Sequence, residues 1–246
     1  MTAPIYQGEI PYLTTEQMIE VDRVMIEDFG IELVQMMENA GRALAHLARA
    51  RFLGGDPLDK QVTVVAGTGG NGGGALVCAR RLHSWGARVK VLITKSDKNF
   101  APVPAHQLRI LGHMHVEVAL PEIPIRGPNP DLIIDGVIGY SLKNAPTGIA
   151  GELIRWANAR SSPILALDVP SGVDTTTGTV FDPAIEATAT MTLALPKEGL
   201  RAPGVEAHVG ELYLADISVP PSLYAKPTLS MQVGHIFSQS DIVRLA

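Results

Sequence analysis

Cysteine is almost absent from this chain, which contains Cys78 and no other thiol among its 246 residues. A single cysteine excludes an intrachain disulfide framework and a zinc centre built on several thiolates. Charged residues make up only 18% of the chain, the net charge is −5, and lysine and arginine form no cluster. Because a nucleic-acid surface needs clustered positive charge, we expect no nucleic-acid partner and predict small molecules as ligands.

Long apolar runs are missing too. No stretch approaches the ~20 consecutive apolar residues that cross a bilayer, and residues 1–12 lack the charged and apolar segments of a secretory signal. We therefore expect no membrane association and a cytoplasmic location. Hydrophobic residues nevertheless make up 46% of the chain, enough for one large α/β core. The sequence predicts a single domain with its core at about 13–220, an extended arm at 1–12 and a surface tail at 221–246.

The strongest local pattern lies at residues 62–76, with the sequence VTVVAGTGGNGGGAL. An apolar, β-branched run there enters a glycine-rich segment and continues with helical spacing of apolar residues. A run of that kind is typical of a buried parallel strand, and glycines ahead of a helix let a phosphate approach the free backbone N–H groups. The pattern predicts a phosphate-binding loop, although Gly67, Gly69 and Gly72 would match G-x-G-x-x-G in an ordinary tight turn as well.

Strand and helix patterns alternate along the rest of the chain and indicate a doubly wound α/β sheet. Predicted strands cover 88–93, 115–120, 131–135, 163–168, 191–195 and 211–215, and predicted helices cover 14–29, 33–52, 76–85, 104–113 and 149–160. Asp135 and Asp168 end two of these strands. Ligands of such sheets bind outside the carboxyl ends of the strands, so both carboxylates are expected beside the glycine-rich loop, unless they serve only as turn residues.

The end of the strand at 88–93 bears on the cofactor. A Rossmann unit that binds NAD has an acidic residue there for the ribose diol, whereas this chain has Thr94 and Lys95, with Asp97 further on. No catalytic histidine or tyrosine–lysine pair is evident either. Both observations disfavour a nicotinamide-dependent dehydrogenase.

Taken together, these motifs resemble the NAD(P)H-hydrate epimerase family, also called the YjeF N-terminal domain, from about residue 13 to residue 220. The motifs that carry the resemblance lie at 13–23, 37–41, 67–76, 135–139, 168–174 and 196–197. The resemblance implies a three-layer αβα Rossmann-like sandwich with a mainly parallel sheet, and a homodimer. It also implies an isomerase that interconverts the R and S epimers of NADH and NADPH hydrated at C6. The expected functional partner in this cofactor repair is a separate NAD(P)H-hydrate dehydratase.

The resemblance further implies the residues of the site. Asp168 matches the catalytic carboxylate of the family. Asn71, Asp135 and Ser171 match the ligands of one potassium ion per subunit, and all three supply the oxygen atoms that a hard cation requires. The residues that match the substrate site are Gly70, Asn71, Gly72, Gly73, Gly74, Gly139, Tyr140, Ser141, Leu142, Lys143, Asn144, Ala145 and Asp168.

Two positions of the glycine-rich loop depart from the family pattern, which usually has asparagine in place of Gly70 and aspartate in place of Gly74. The backbone cradle for a phosphate does not need either side chain. Their loss leaves an alternative open, in which the chain is a catalytically weak nucleotide-binding or protein-interaction module of the same fold.

Overall fold

A computed structural model describes residues 3–245 and shows one sheet of nine strands. The strands are β1 (Ile5–Tyr6), β2 (Gln61–Ala66), β3 (Arg88–Ile93), β4 (Glu117–Ala119), β5 (Leu132–Gly136), β6 (Ile164–Leu167), β7 (Ala189–Leu193), β8 (Glu211–Ala215) and β9 (Ile242–Leu245). Their order across the sheet is β1-β9-β8-β7-β6-β5-β2-β3-β4. Every neighbouring pair is parallel except β8 and β9. The predicted α/β class and mainly parallel sheet are confirmed.

Helices cover both faces of the sheet. They are α1 (Thr15–Glu27), α2 (Leu33–Leu47), α3 (Gly70–Ser84), α4 (Pro102–His113), α5 (Gly148–Asn158) and the four-residue α6 (Glu206–Val209) and α7 (Pro221–Tyr224). Apolar residues of α2, α3 and α4 share one core with Val62 and Val64, whereas α5 packs against Val65 and Ile133 on the other face. This arrangement confirms the three-layer sandwich. No helix among residues 3–245 combines the length and the hydrophobicity needed to cross a membrane.

Helix α1 begins as its sequence predicts. The Thr14 hydroxyl accepts a hydrogen bond from the Gln17 backbone N–H at 3.2 Å, and the Gln17 side chain accepts one from the Thr14 N–H at 2.9 Å. This reciprocal pair satisfies two backbone donors that the first turn would otherwise leave open. It fixes the direction of α1, whose inner face reaches the functional cavity described below.

The direction of winding reverses between β2 and β5, which are neighbours in the middle of the sheet. From β2 the chain continues to β3 and β4 on one side, and from β5 it continues to β6, β7 and β8 on the other. The connections that leave the carboxyl ends of β2 and β5 therefore diverge and open a crevice. The glycine-rich loop and the residues that follow β5 and β6 all meet at this edge.

The two ends of the chain are more ordered than the sequence predicts. The arm predicted at 1–12 includes residues 1 and 2, which lie outside the described residues, but β1 within it pairs with β9. The prediction of a surface tail at 221–246 is wrong, because β9 pairs with β8 and the side chains of Leu223, Tyr224 and Val243 are buried in the same cluster as α1. These buried residues belong to short segments without a regular period, so no periodic pattern revealed them.

Candidate active site

A cavity of about 840 Å³ opens at the carboxyl edge of the sheet, beside the crevice between β2 and β5. Its apolar wall comes from α1 and α2 and includes Met18, Met36 and Met37. Its opposite wall contains the glycine-rich loop, Tyr140 and Asp168. Apolar walls with a few convergent polar groups are typical of sites for small molecules and cofactors.

The glycine-rich loop approaches its neighbours too closely for larger residues. A Cβ atom on Gly67 would lie 1.9 Å from the carbonyl oxygen of Val137, and one on Gly72 would lie 1.9 Å from that of Gly67. Helix α3 starts directly after Gly69, and no side chain caps it. The first backbone N–H groups of α3 are therefore available to an anion, as a phosphate-binding loop requires.

The two departures from the family pattern differ in their surroundings. Gly70 lines the cavity, and a Cβ atom there would meet only the Met37 Cε atom, at 3.9 Å. A Cβ atom on Gly74 would lie 2.8 Å from the Leu167 Cδ2 atom, so a side chain at this position requires the Leu167 side chain to move. A Cβ atom is therefore accommodated at position 70 as the site stands, and at position 74 only after the Leu167 side chain moves.

Asp168 directly follows β6 and lines the cavity, although it is only 5% exposed. Its backbone is held at φ +66°, a region that costs a residue with a side chain free energy and that occurs preferentially at functional sites. The Oδ1 atom accepts hydrogen bonds from the Lys197 ammonium, from the Thr192 hydroxyl at 3.3 Å and from the Leu193 N–H at 3.3 Å. No donor within residues 3–245 bonds to Oδ2, which leaves this oxygen for a ligand.

Lys197 completes a buried ion pair with Asp168. Its side chain is fully buried, and its ammonium also donates to the Leu193 carbonyl at 2.8 Å. Residue 197 is placed by the segment before α1, where the Leu13 N–H donates to the Pro196 carbonyl at 2.8 Å and the Glu198 N–H donates to the Leu13 carbonyl at 2.9 Å. Lys197 belongs to a motif that carries the family resemblance, but it is not among the residues predicted for the site. Its position directly after a buried strand and a proline was the available signal.

A second polar pair, Asp22 and Tyr140, lies at the same end of the cavity. The Tyr140 hydroxyl donates to the Asp22 carboxylate at 2.5 Å and so ties the segment after β5 to α1. Burial raises the pKa of Asp22, and the bond from Tyr140 partly opposes this rise. Burial and the neighbouring Asp22 charge both raise the pKa of Tyr140. Asp22 is not among the residues predicted for the site, because a lone aspartate in a helical pattern carries no chemical signal.

Asp135 lies at the end of β5 and is fully buried. Its Oδ1 atom accepts from the Ser171 hydroxyl at 2.7 Å and from the Val137 N–H at 3.1 Å, and its Oδ2 atom accepts from the Ser171 N–H at 2.8 Å. Burial raises the pKa of Asp135 to about 6 in spite of these bonds, because the charged form is desolvated. Asp135 and Ser171 thus join the ends of β5 and β6 beside the cavity.

The residues matched to potassium ligands converge on the segment that follows β5. Asn71 contacts this segment, since a Cβ atom on Gly139 would lie 3.6 Å from the Asn71 Oδ1 atom. The Asn71 Nδ2 atom is buried and has no hydrogen-bond partner among the described residues. The Asn71 amide oxygen, the buried Asp135 carboxylate and the Ser171 hydroxyl supply oxygen atoms of the kind that suit a hard monovalent cation. The residues present therefore fit the potassium ion implied by the resemblance.

The predicted substrate residues fall into two groups. Those that line the cavity are Gly70, Asn71, Gly74, Gly139, Tyr140, Ser141 and Asp168. Those outside its lining are Gly72, Gly73, Leu142, Lys143, Asn144 and Ala145. The two glycines face their own loop and the Met37 side chain. The segment 142–145 connects Ser141 to the start of α5, where Thr147 and Gly148 line the cavity again.

Several curated proteins are similar to this chain over most of its length. An NAD(P)H-hydrate epimerase of Dehalogenimonas lykanthroporepellens is 41% identical over 220 residues, which cover 88% of this chain and 86% of the relative. An enzyme of the same name from Limosilactobacillus fermentum is 32% identical over 83% of this chain and 95% of its own length. A bifunctional NAD(P)H-hydrate repair enzyme of Salinibacter ruber is 34% identical, and this chain covers 86% of itself but only 41% of that protein.

The fold also has a match among solved structures. The crystal structure of the yeast protein YNL200c superposes with a TM-score of 0.75 at 25% sequence identity and covers 96% of this chain and 100% of the yeast chain. The family described as YjeF-related protein N-terminus matches residues 33–199, which include the glycine-rich loop, Asp135, Asp168 and Lys197. The chain belongs to this YjeF N-terminal family.

Proposed function

We propose that the chain is an NAD(P)H-hydrate epimerase that acts in the cavity at the carboxyl edge of the sheet. The observation that carries the proposal is the placement of Asp168, whose Oδ2 atom has no donor among residues 3–245 and whose side chain shares a cavity with the start of α3. One group is suited to proton transfer and the other to the pyrophosphate of a dinucleotide. A protein-interaction scaffold needs neither group, and a nucleotide-binding module needs only the phosphate site. A proton-transfer group in the cavity therefore favours the enzyme.

The chemistry requires one group that gives and takes a proton. The hydrated ring is a carbinolamine, so protonated Asp168 donates its proton from Oδ2 to the C6 hydroxyl. The C–O bond breaks, water leaves, and the lone pair of the ring nitrogen forms a planar iminium. Water then adds to either face of C6 and returns a proton to Asp168, which gives both epimers.

The partners of Asp168 stabilise its carboxylate form, which is the product of the first step and the base of the second. When Asp168 has given up its proton, the Lys197 ammonium and the Thr192 hydroxyl stabilise the carboxylate at Oδ1. They also fix its rotamer, which keeps Oδ2 directed at the ligand. The methionine-rich wall forms the apolar side of the site.

A potassium ion is part of the proposal. Asn71, Asp135 and Ser171 would hold it, and the bound ion would supply positive charge that offsets the cost of burying the Asp135 carboxylate. It would also hold the ends of β5 and β6 together, and with them the start of the segment that carries Tyr140.

Removal of potassium is expected to lower both thermal stability and epimerase activity. Binding to the folded state alone adds roughly 2.7 kcal/mol at a hundredfold excess over Kd, and in a chain of this size each kcal/mol raises Tm by about 2–4 °C. Scanning calorimetry in potassium chloride and in choline chloride measures the difference. The variant Asp135→Asn serves as the control and should abolish it. Equal Tm and equal activity in the two salts would show that the site does not bind a potassium ion that matters for stability or activity.

The glycine-rich loop gives a test between the enzyme and the binding module. Gly70→Asn and Gly74→Asp restore the family residues, and the surroundings of Gly70 leave space for the first change. We expect Gly70→Asn to raise kcat and to change dinucleotide affinity much less, because the backbone N–H groups that hold the pyrophosphate are unaffected. Addition of Gly74→Asp tests whether the move of Leu167 is tolerated. If neither the native chain nor these variants epimerise the hydrate, the result favours the alternative in which the chain is a binding module without activity.

The activity itself is tested with a mixture of the R and S hydrates and a dehydratase specific for one epimer. The dehydratase alone should leave one epimer unreacted, and addition of this chain should allow complete consumption. If part of one epimer stays unreacted in the presence of the chain, the result contradicts the proposal. The chain spans about two fifths of the length of its bifunctional relatives. We propose that an NAD(P)H-hydrate dehydratase is its functional partner. The homodimer and the cytoplasmic location stay predictions.

A further inference from the structure

The residues that follow β3 line the same cavity as Asp168. The Thr94 N–H donates to the Ala66 carbonyl at 3.1 Å and continues the β2–β3 ladder by one residue, and Lys95 comes next. Thr94 and Lys95 both belong to the cavity lining. The Thr68 carbonyl accepts from the Ala101 N–H at 3.1 Å, which fastens the segment after Lys95 to the glycine-rich loop. Lys95 therefore lies beside the phosphate-binding loop, on the side away from β5.

Lys95 gives this end of the cavity a positive charge. Its side chain is exposed and forms no ion pair with a residue in the range 3–245. The nearest acidic residue in the sequence, Asp97, does not line the cavity, and its carboxylate accepts from the Lys98 backbone N–H at 2.8 Å. The end of the cavity at β3 thus presents a lysine and no carboxylate.

The two carboxylates of the cavity lie at its other end. Asp168 follows β6, which is three strands away from β3, or roughly 14 Å at the usual spacing between strands. Asp22 is bonded to Tyr140, in the segment that follows β5. The cavity is therefore polarised, with proton-transfer chemistry at one end, the start of α3 in the middle and Lys95 at the other end.

An extended dinucleotide fits this polarity in one orientation. With its hydrated nicotinamide ring at Asp168 and its pyrophosphate at the start of α3, the adenosine ribose lies over the end of β3. In doubly wound sheets the residue at this point reads the ribose, since an acidic residue binds the 2′-hydroxyl of NAD and a cationic residue accommodates the 2′-phosphate of NADP.

We propose that Lys95 binds the 2′-phosphate of the adenosine ribose and that the enzyme consequently prefers hydrated NADPH to hydrated NADH. The inference rests on the proposed function in one respect, namely that the cavity binds a dinucleotide. It adds a specificity-determining residue that lies far from the reacting atoms and that takes no part in proton transfer.

Calorimetric titration with NADP⁺ and NAD⁺, which differ only in the 2′-phosphate, tests the proposal without turnover. The native chain should bind NADP⁺ about tenfold more tightly, as expected for one charge-assisted hydrogen bond. Lys95→Glu should abolish the preference. Lys98→Glu makes the same change of charge three residues further on, outside the cavity lining, and should keep it. The ratio of kcat/KM for the two hydrates should follow the same pattern.

Equal affinity of the native chain for NADP⁺ and NAD⁺, or no binding of either, would overturn the inference. So would an equal loss of preference in Lys95→Glu and Lys98→Glu, because the cause would then be net charge and not a contact. Preference for NADP⁺ without epimerisation of any hydrate would support Lys95 as the phosphate ligand and refute the proposed function. Epimerisation of both hydrates at equal kcat/KM, with equal affinity for the two dinucleotides, would support the proposed function and refute Lys95 as the phosphate ligand.

Discussion

Replacement of Asp168 by asparagine is expected to lower kcat for hydrate epimerisation by about a hundredfold or more. The amide keeps the shape of the side chain and removes the group that protonates the C6 hydroxyl and accepts the proton of the returning water. KM should change much less, because the pyrophosphate site at the start of α3 is untouched. Steady-state kinetics with a single purified epimer, followed by NMR, gives both constants.

Circular dichroism is needed as a control for this variant, since asparagine leaves the Lys197 ammonium buried without its carboxylate. The double variant Asp168→Asn with Lys197→Met removes both charges and so separates stability from chemistry. It should recover much of the lost stability and none of the lost activity. Full activity of folded Asp168→Asn would exclude Asp168 as the acid and base.

Replacement of Lys197 by methionine is expected to destabilise the chain by roughly 3–5 kcal/mol, the cost of breaking a buried ion pair by removing one partner. The methionine side chain fills most of the same volume, but the Asp168 carboxylate stays buried with only the Thr192 hydroxyl and the Leu193 N–H as donors. The loss is measured as a lower midpoint in urea at unchanged slope.

A double-variant cycle measures how much of the stability comes from the interaction between Asp168 and Lys197 and how much from each side chain alone. The combined variant Asp168→Asn with Lys197→Met should be more stable than the sum of the two single losses, because neither charge is then left without a partner. Additive losses would show that the two side chains contribute independently. The ion pair would then not be what holds Asp168 in the site.

Much of the fold is predictable from local sequence. The strands β2, β5 and β6 are apolar runs bounded by turn residues, which parallel packing on both faces requires. The tail was predicted wrongly, because β9 is held by pairing with β8 and not by its own four-residue pattern. Pairing of this kind depends on residues distant in sequence, and the period of one segment does not contain it.

The candidate site divides in a similar way. Asp135 and Asp168 could be located because each ends a strand, and strand ends meet at one edge of a parallel sheet. Asp22 could not be located from its neighbours in sequence, and the position of Lys197 after a strand and a proline does not identify its partner. Lys197 is 29 residues from its partner Asp168, and Asp22 is 118 residues from Tyr140. Each pair exists only after the chain has folded, so its chemistry belongs to the tertiary structure.

The central claim, that Asp168 drives loss and return of water at C6, is tested most directly by isotope exchange. A single purified epimer of NADPH hydrate is incubated with the chain in water enriched in ¹⁸O. The two epimers are then separated, and mass spectrometry measures the ¹⁸O content of each. With the native chain, we expect the second epimer to form with label incorporated at the C6 hydroxyl. With Asp168→Asn, we expect epimerisation and incorporation of label to proceed no faster than the uncatalysed rate. Epimerisation without incorporation of label, or equal rates with the native chain and with Asp168→Asn, would contradict the claim.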